Sequence, residues 1–281
     1  MKQFFAVIGH PIGHTMSPFI HKKLFDLSEK DFDYRVFDIL PENLSDEFYK
    51  ILKALNGFNI TIPHKEAIIP MVDEIDESAL KYNAVNCVLN RNGKSYGCST
   101  DAFGFVKAIE TAGVELKGKV LVLGAGGAAK TLAREAFDSG CEITIAVRES
   151  GLERAEKLKK WLCGTGRKVT VCTLSDVCGQ FDLVVNATPV GMYPKTDAMP
   201  ITEAQLKNCK AVFDAVYNPE KTLLLKTAET FGIKTVGGMA MLVWQAVKAH
   251  EFWYGAQFDT DDIETIIADA NREMERIFYE K

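Results

Sequence analysis

Several features that mark metal-binding, disulfide-bonded or membrane proteins are missing from this sequence. Its seven cysteines are scattered without a Cys-x-x-Cys pair, and its five histidines show no ligand spacing. We therefore expect no metal and no disulfide framework, only reduced and buried thiols. No apolar run approaches the length of a membrane span, and the one near the N-terminus is too short for a signal-peptide core. These absences favour a protein of the cytoplasm.

A long basic run is missing as well. Lysine and arginine number 33 against 38 aspartates and glutamates, which gives a net charge of −5. Nucleic acids and anionic membrane surfaces attract basic chains, so neither is expected as a partner. With 47% hydrophobic and 25% charged residues, the chain has the composition of a globular protein with a real core. The sequence does not decide between a monomer and a homodimer.

Apolar, strand-like runs alternate with helical stretches, a pattern typical of α/β folds with parallel sheets. The first group of predicted strands comprises residues 4–10, 34–39, 57–62, 84–89 and 94–98. The second group comprises residues 119–123, 142–147, 168–172, 182–187 and 211–216. This second series has the strand–helix order of a dinucleotide-binding sheet. Two terminal helices, 239–254 and 261–279, need a sheet to cover, so we predict that they return to the first group.

A glycine-rich segment directly follows the first strand of the second group. Residues 124–129 read GAGGAA and fit the pattern G-x-G-x-x-A at a helix start. Gly124 permits the tight turn, Gly126 lets the backbone approach a pyrophosphate, and Ala129 allows close packing of helix on strand. The N–H groups at the helix start then face the anion. The segment predicts a nicotinamide dinucleotide site.

The next strand end bears on the choice between NADP and NAD. Arg148 can pair with a 2′-phosphate and stack on adenine. Glu149 can repel that phosphate or bind a ribose hydroxyl, the role that an acidic residue has in NAD enzymes. Because the arginine comes first, we favour NADP and keep NAD open. The alternative is that Arg148 is only a solvated surface charge.

Polar side chains also follow the strands of the first group. Asn59 and Thr61 share one face of a strand, at the end where open α/β sheets bind ligands, and Lys65 comes shortly after. Asp101 follows another strand and precedes a helix. Without further information, Lys65 could be a surface lysine and Asp101 a helix N-cap. Ser17 before a proline suits an N-cap too, and it places a hydroxyl where an anion is favoured.

A series of short motifs then resembles the shikimate dehydrogenase family, which includes enzymes acting on quinate. The resemblance runs in order over nearly the whole chain. Its motifs are G-x-P-I-x-H-x-x-S-P at 9–18, N-x-T-x-P-x-K at 59–65, A-V-N at 84–86, G-x-x-T-D at 97–101, GAGGAA at 124–129, N-A-T-P-x-G-M at 186–192, D-x-x-Y at 214–217 and M-L-V-x-Q-A at 241–246.

The resemblance implies two α/β domains with a cleft between them. A mostly parallel-sheet substrate domain would comprise residues 1–101 and 239–281, and a Rossmann-type NAD(P)-binding domain would comprise residues 102–238. It implies a reversible, NADPH-dependent reduction of 3-dehydroshikimate to shikimate in aromatic amino-acid biosynthesis. The runner-up is a quinate/shikimate dehydrogenase of broader specificity that uses NAD. A catalytically silent nucleotide-binding regulator is disfavoured, because Lys65, Asp101, Thr61 and Asn86 are all present.

Family positions carry over residue by residue. Lys65 and Asp101 match the catalytic pair. Hydride transfer to a ketone leaves negative charge on oxygen, which a lysine ammonium can stabilise and protonate. The positions that match substrate contacts are Thr15, Ser17, Thr61, Asn86, Asp101, Tyr217 and Gln245. The positions that match cofactor contacts are Gly124, Ala125, Gly126, Gly127, Ala128, Arg148, Ala215 and Gly238.

Three departures from the family pattern affect specificity more than reaction type. Thr15 replaces the usual serine and adds a methyl group, which could narrow the pocket or shift preference toward quinate. Ser99 replaces the usual asparagine before the Thr-Asp pair. Glu149 stands where NADP-using members have serine or threonine after the arginine.

Overall fold

The computed structural model describes residues 2–13, 15–163 and 168–279. The chain divides into two compact units, one formed by residues 1–103 and 243–270 and the other by residues 104–242 and 271–281. Residues 239–242 and 271–281, which the sequence analysis placed with the first group, therefore fall in the second unit. Each unit contains one sheet with helices. The predicted fold class of two α/β units is confirmed.

The sheet of the first unit is mixed. Its strands are β1 (Gln3–Gly9), β2 (Phe32–Asp38), β3 (Gly57–Ile60), β4 (Glu74–Ile75), β5 (Cys87–Arg91) and β6 (Lys94–Cys98). They lie in the order β2-β1-β3-β5-β6-β4. Strand β1 is parallel to β2 and β3, β5 is antiparallel to β3 and β6, and β4 is parallel to β6. The helices of the N-terminal part are α1 (Ser17–Leu27), α2 (Leu44–Lys50), α3 (His64–Ala67), α4 (Glu77–Tyr82) and α5 (Asp101–Thr111).

Alternation along β1 gives this sheet two apolar faces. Ala6 and Ile8 join one buried cluster, which includes Phe58 of β3, and Phe5 joins the other. On the Phe5 face lies α10 (Gly238–Tyr254), whose Trp253 ring centroid is 4.5 Å from that of Phe5. The approach is close enough that a Cβ on Gly57 would lie 2.6 Å from Trp253 Nε1, so glycine is required there.

The turn between β5 and β6 consists of Asn92 and Gly93, both with positive φ (53° and 77°). Such a two-residue turn matches the twist of the flanking strands, and β5 and β6 form an antiparallel hairpin. Because the hairpin is regular, its open ends meet: Cys87 pairs with Cys98, and Asn86 N–H donates to the Cys98 carbonyl. The residues that precede β5 and follow β6 are thereby brought together.

The sheet of the second unit is parallel throughout. Its strands are β7 (Lys119–Leu123), β8 (Glu142–Val147), β9 (Val169–Thr173), β10 (Phe181–Asn186), β11 (Cys209–Asp214) and β12 (Lys234–Val236). Their order β12-β11-β10-β7-β8-β9 is that of a Rossmann sheet. The remaining helices are α6 (Gly127–Asp138), α7 (Leu152–Leu162), α8 (Glu203–Leu206), α9 (Leu223–Thr230) and α11 (Thr260–Phe278). No helix in the described ranges combines the length and the apolarity that crossing a membrane requires.

A pair of histidines lies buried in the first unit. His21 of α1 and His250 of α10 are both fully buried, and His21 Nδ1 lies 2.9 Å from His250 Nε2. His250 Nδ1 is hydrogen-bonded in turn to the Tyr254 hydroxyl. Burial lowers the pKa of His21 from 6.5 to about 3, and burial with the neighbouring His21 lowers the pKa of His250 as well. The folded protein therefore keeps both rings neutral.

This pair predicts acid-dependent stability. Below pH 6.5 the two histidines become protonated in the unfolded chain but stay neutral in the folded protein. The free energy of unfolding is therefore highest above pH 6.5 and falls as the pH drops toward 3. Each histidine contributes a slope of up to about 1.4 kcal/mol per pH unit to the free energy of unfolding. Urea unfolding of His21→Leu at several pH values should give a shallower slope than the wild type. Equal slopes in both proteins would rule out the neutral pair as the cause.

Candidate active site

Four strands of the first sheet bring polar residues to one edge. Parallel strands β1 and β3 end there, and β6 ends there too, because it is antiparallel to β5, which begins at this edge. The Ile60 N–H donates to the Asn86 carbonyl at 2.8 Å, which joins the end of β3 to the start of β5. The segments that follow these strands carry most of the residues singled out in the sequence.

Lys65 and Asp101 form an ion pair at this edge. Lys65 lies in α3, just beyond the end of β3, and Asp101 is the first residue of α5, beyond the end of β6. Lys65 Nζ donates to Asp101 Oδ2 at 2.5 Å, and the two side chains are only 28% and 16% exposed. The surface-lysine interpretation is therefore wrong. The neighbouring His64 is buried and stabilises the segment that carries Lys65, because its Nε2 donates to the Ile39 carbonyl at 2.7 Å.

Asn86 binds the other oxygen of the same carboxylate. Its Nδ2 donates to Asp101 Oδ1 at 2.8 Å, so each carboxylate oxygen has its own donor. Thr100 lies beside it and is fully buried. The Thr100 N–H donates to Asn86 Oδ1 at 2.7 Å, and the Thr100 hydroxyl lies 3.2 Å from Gln245 Oε1 of α10. Four predicted site residues, Lys65, Asp101, Asn86 and Gln245, thus belong to one hydrogen-bonded cluster.

Thr15 and Ser17 place two hydroxyls at the start of α1. Thr15 Oγ1 donates to Ser17 Oγ at 3.1 Å and accepts from the Ser17 N–H at 3.2 Å. Ser17 is not the N-cap that its position before Pro18 suggested; it is the first helical residue, after Met16, and no side chain caps this helix. The threonine hydroxyl binds the N–H of Ser17 instead. The Ser17 hydroxyl can donate to an anion at this helix N-terminus, and the Thr15 hydroxyl can do so as well only if it gives up its bond to Ser17.

Thr61 follows β3 directly, and its side chain lies against the end of β1. A Cβ on Gly9 would lie 2.5 Å from Thr61 Cγ2, so glycine is needed to admit the threonine. The Thr61 N–H donates to the Ile8 carbonyl at 2.9 Å, which fixes the backbone. Thr61 therefore lies where β1 and β3 end.

In the second unit, the glycine-rich turn has the features expected of a phosphate cradle. Gly124 has a φ of +107°, and Gly126 precedes the first turn of α6. A Cβ on Gly126 or Gly127 would meet nothing within 4 Å, whereas Ala129 is fully buried on the inner side of α6. Ala125 and Ala128 complete the segment. Its backbone N–H groups are open to an anion, so the turn fits a dinucleotide pyrophosphate.

Other predicted cofactor positions lie at the same edge of the second sheet. Arg148 and Glu149 follow β8 and are both exposed, with Arg148 immediately before a short 3-10 turn. Ala215 follows β11, and Gly238 begins α10 directly against it. A Cβ on Gly238 would lie 2.5 Å from the Ala215 carbonyl oxygen, so only glycine allows this approach. Tyr217 lies two residues beyond Ala215, partly exposed, and burial raises the pKa of its phenol.

A buried carboxylate holds these loops, and the sequence analysis assigned it no role. Asp214, at the end of β11, is fully buried and accepts from Asn186 Nδ2 at 2.9 Å, from the Val216 N–H at 3.0 Å and from the Thr222 hydroxyl at 2.7 Å. Asn186 Oδ1 accepts in turn from the N–H and hydroxyl of Thr188. Burial raises the pKa of Asp214 to about 6 in spite of these donors.

Thr100 and Asp214 are the two functional candidates that the sequence analysis missed. Both stand inside quoted motifs, and Asp214 is a polar residue that ends the apolar run of β11. Asn186 and Asp214 are opposite each other in the register of β10 and β11, so knowledge of the strand order would have predicted their contact. Within the described residues, no group of three or more potential ligands is arranged to hold a metal ion.

Known proteins resemble the chain over almost all of its length. A family model described as the shikimate dehydrogenase substrate binding domain matches residues 7–88. The curated shikimate dehydrogenase (NADP(+)) of Caldanaerobacter subterraneus subsp. tengcongensis is 38% identical over 267 residues, which are 92% of this chain and 93% of that protein.

Solved structures give the same result. Shikimate 5-dehydrogenase from Thermus thermophilus, in complex with NADP(H) and shikimate, has a TM-score of 0.86 and 32% identity over 95% of this chain and 99% of that one. The Listeria monocytogenes enzyme, in complex with shikimate and NAD, has a TM-score of 0.82 and 30% identity over 95% and 96%. Sequence and structure together place the chain in one family: it belongs to the shikimate dehydrogenases.

Proposed function

We propose that this protein catalyses the reversible, NADPH-dependent reduction of 3-dehydroshikimate to shikimate, a step of aromatic amino-acid biosynthesis. The observation that carries the proposal is the cluster of Lys65, Asp101 and Asn86 in the first unit, in which an ammonium and an amide share one carboxylate. The reaction is inferred from the family to which the chain belongs, and the ammonium, carboxylate and amide of this cluster are groups suited to it.

Lys65 serves as the proton donor. When bound, reduced nicotinamide supplies a hydride, that is, a proton with two electrons, to the carbonyl carbon of the substrate. The C=O π electrons move to oxygen, and Lys65 Nζ gives that oxygen its proton, so the product is a secondary alcohol. Before transfer, the ammonium stabilises the charge that develops on the oxygen. Asp101 holds the ammonium in place through the 2.5 Å contact.

Hydroxyls and amides of the first unit hold the substrate. Ser17 offers an O–H donor at the start of α1 for the substrate carboxylate, where the helix dipole adds favourable potential, and Thr15 becomes a second donor when its hydroxyl turns from Ser17 to the carboxylate. Thr61, Asn86 and Gln245 present polar groups suited to the ring hydroxyls. Tyr217 stays a substrate contact predicted from the sequence. The chain has no basic run, so carboxylate binding falls to these local donors.

NADP binds through the second unit in this proposal. The glycine turn from Gly124 to Ala128 takes the pyrophosphate, Arg148 takes the 2′-phosphate, and Ala215 and Gly238 contact the nicotinamide end. The open backbone at Gly126 and Gly127 supports the first assignment, and the exposure of Arg148 leaves its guanidinium available for the second. A cytoplasmic location stays a prediction from the sequence, and the choice between a monomer and a homodimer stays open.

The first test is an absorbance assay at 340 nm with shikimate and quinate, each with NADP⁺ and NAD⁺. We expect shikimate with NADP⁺ to give the highest kcat/KM, since Arg148 favours the 2′-phosphate. If quinate and shikimate are turned over with equal kcat/KM, the protein has the broader quinate/shikimate activity. The methyl group of Thr15 is the sequence feature that would favour quinate. Absence of turnover with all four combinations would refute the proposed function.

The proton-donor role predicts a change in kcat. Lys65→Met keeps the length of the side chain but removes its charge, and kcat should fall by at least about 100-fold, with a much smaller change in KM for shikimate. Lys94→Met is the matched control, because Lys94 also pairs with a carboxylate, Glu74, at 2.8 Å on the surface of the same unit. A kcat for Lys65→Met near that of the control would contradict the assignment.

Cofactor preference should respond to Glu149. Replacing Glu149 with threonine removes a negative charge next to Arg148, so the ratio of kcat/KM for NADP⁺ over NAD⁺ should rise by about two- to fivefold, the range expected for an interaction between solvent-exposed charges. Glu153→Gln, at the exposed start of α7, is the control and should leave the ratio unchanged. An unchanged ratio in Glu149→Thr as well would show that Glu149 does not face the 2′-position.

A further inference from the structure

One buried carboxylate connects two of the proposed cofactor segments, the glycine turn after β7 and the residues after β11. Asp214 is fully buried, and its Oδ1 accepts from both Asn186 Nδ2 and the Val216 N–H. We infer that Asp214 is a positioning residue for the cofactor, and that it acts on the glycine turn through Asn186 and Thr188. This inference rests on the proposed function, because it concerns the proposed NADP site.

The amide of Asn186 has one allowed orientation. Burial raises the pKa of Asp214 to about 6, so at pH 8 the carboxylate is ionised and can only accept. The Asn186 atom 2.9 Å from it is therefore the NH₂ nitrogen. The backbone N–H of Thr188 can only donate, so the Asn186 atom 3.0 Å from it is the carbonyl oxygen. The two requirements agree, and Asn186 links Asp214 to Thr188.

The hydroxyl of Thr188 also has defined roles in its two hydrogen bonds. The Asn186 oxygen can only accept, so the hydroxyl donates its single hydrogen to that oxygen at 2.7 Å. The Val190 N–H can only donate, so the hydroxyl accepts from it at 3.3 Å. Thr188 thus links the backbone of residues 188–190 to Asn186, and through Asn186 to Asp214.

The segment that Thr188 holds packs directly against the glycine turn. The Ala187 N–H donates to the Leu123 carbonyl at 3.0 Å, one residue before the turn begins. A Cβ on Gly124 would lie 3.1 Å from both the Ala187 carbonyl oxygen and Thr188 Cγ2. Because contacts this tight transmit displacements, a shift of the segment would move the turn as well. The N–H groups proposed to bind the pyrophosphate are therefore positioned by a carboxylate two strands away.

The same carboxylate also holds the residues that follow β11. The Val216 N–H donates to Oδ1 of Asp214 at 3.0 Å, and the Thr222 hydroxyl donates to Oδ2 at 2.7 Å. Ala215 lies between Asp214 and Val216, and a Cβ on Gly238 would be only 2.5 Å from the Ala215 carbonyl oxygen. Both positions proposed for the nicotinamide end therefore depend on contacts that lead back to Asp214.

Isothermal titration calorimetry with NADP⁺ on Thr188→Val and Thr188→Ser tests the inference. Thr188→Val removes the hydroxyl but keeps the size of the side chain, so the Kd for NADP⁺ should rise by about three- to tenfold, as expected for the loss of one hydrogen bond. Thr188→Ser keeps the hydroxyl and should bind NADP⁺ as the wild type does. The KM for shikimate should be unchanged in both. A wild-type Kd in Thr188→Val, or equal losses of affinity in both variants, would overturn the inference.

Asp214→Ala tests the carboxylate itself. The variant removes the acceptor of Asn186, Val216 and Thr222 together, so the glycine turn and the residues after β11 both lose their support. The Kd for NADP⁺ should rise by about tenfold or more, and by more than in Thr188→Val, while the KM for shikimate changes little. A Kd no higher than that of Thr188→Val would contradict the role given to Asp214. Should Asp214→Ala not fold, the two Thr188 variants decide.

Val212→Ala is the control for a merely structural effect. Val212 lies on β11 as well, two residues before Asp214, and is fully buried in the apolar core of the second unit. This variant should have a lower Tm, because it leaves a cavity, yet bind NADP⁺ as the wild type does. If it loses affinity as Asp214→Ala does, the effect comes from stability and the inference fails. The titrations need no turnover, so failure of the proposed function, seen as absence of shikimate oxidation by the wild type, is distinguished from failure of the inference.

Discussion

The carboxylate of Asp101 is the group on which the first unit's site depends. It receives the Lys65 ammonium on one oxygen and the Asn86 amide on the other, at 2.5 and 2.8 Å. A largely buried ion pair is costly to desolvate and is favourable only when its remaining hydrogen-bonding capacity is met. Asn86 and Thr100 meet that requirement from within the protein. The polar cluster can therefore be rigid and still lie among apolar residues.

The second unit repeats the same principle with a different group. Asp214 lies at the end of its strand as a fully buried carboxylate, and a backbone N–H, an amide and a hydroxyl converge on it. In both units an acidic residue at a strand end holds together segments that are distant in sequence. The loops that follow these strands can then carry binding groups without strands or helices of their own to support them.

Much of this arrangement could be predicted from the sequence. The apolar runs of β7, β8 and β10, the helical stretches between them and the glycine turn were sufficient to predict the Rossmann sheet, because these segments satisfy local and tertiary requirements at once. The two-residue strand β4 and the three-residue strand β12 were not predicted, since such short segments carry no measurable periodicity. Ser17 was predicted as the N-cap, but it is the first residue of the helix. Its backbone N–H donates to the Thr15 hydroxyl.

The candidate site was less accessible to this reasoning than the fold. Lys65 and Asp101 were assigned roles through family motifs; by residue type alone each had a plainer interpretation. Thr100 is hydrogen-bonded to Asn86 and Gln245 only because the β5–β6 hairpin and α10 pack together. No local sequence pattern encodes that packing. Asp214 was passed over because an aspartate is normally expected at the surface until its buried donors are known.

The fit of Trp253 against Gly57 has a consequence for how this site tolerates change. Gln245 and Trp253 belong to one uninterrupted helix, eight positions apart, which corresponds to about 12 Å of axial rise. A Cβ at position 57 would lie only 2.6 Å from Trp253 Nε1, so the helix cannot come closer to the strand at this point. A methyl group added there would meet both the Trp253 ring and the Val88 carbonyl oxygen, so the helix, the neighbouring strand or both would have to shift. Substitution of this unreactive glycine is thus constrained by the packing of the helix that carries Gln245.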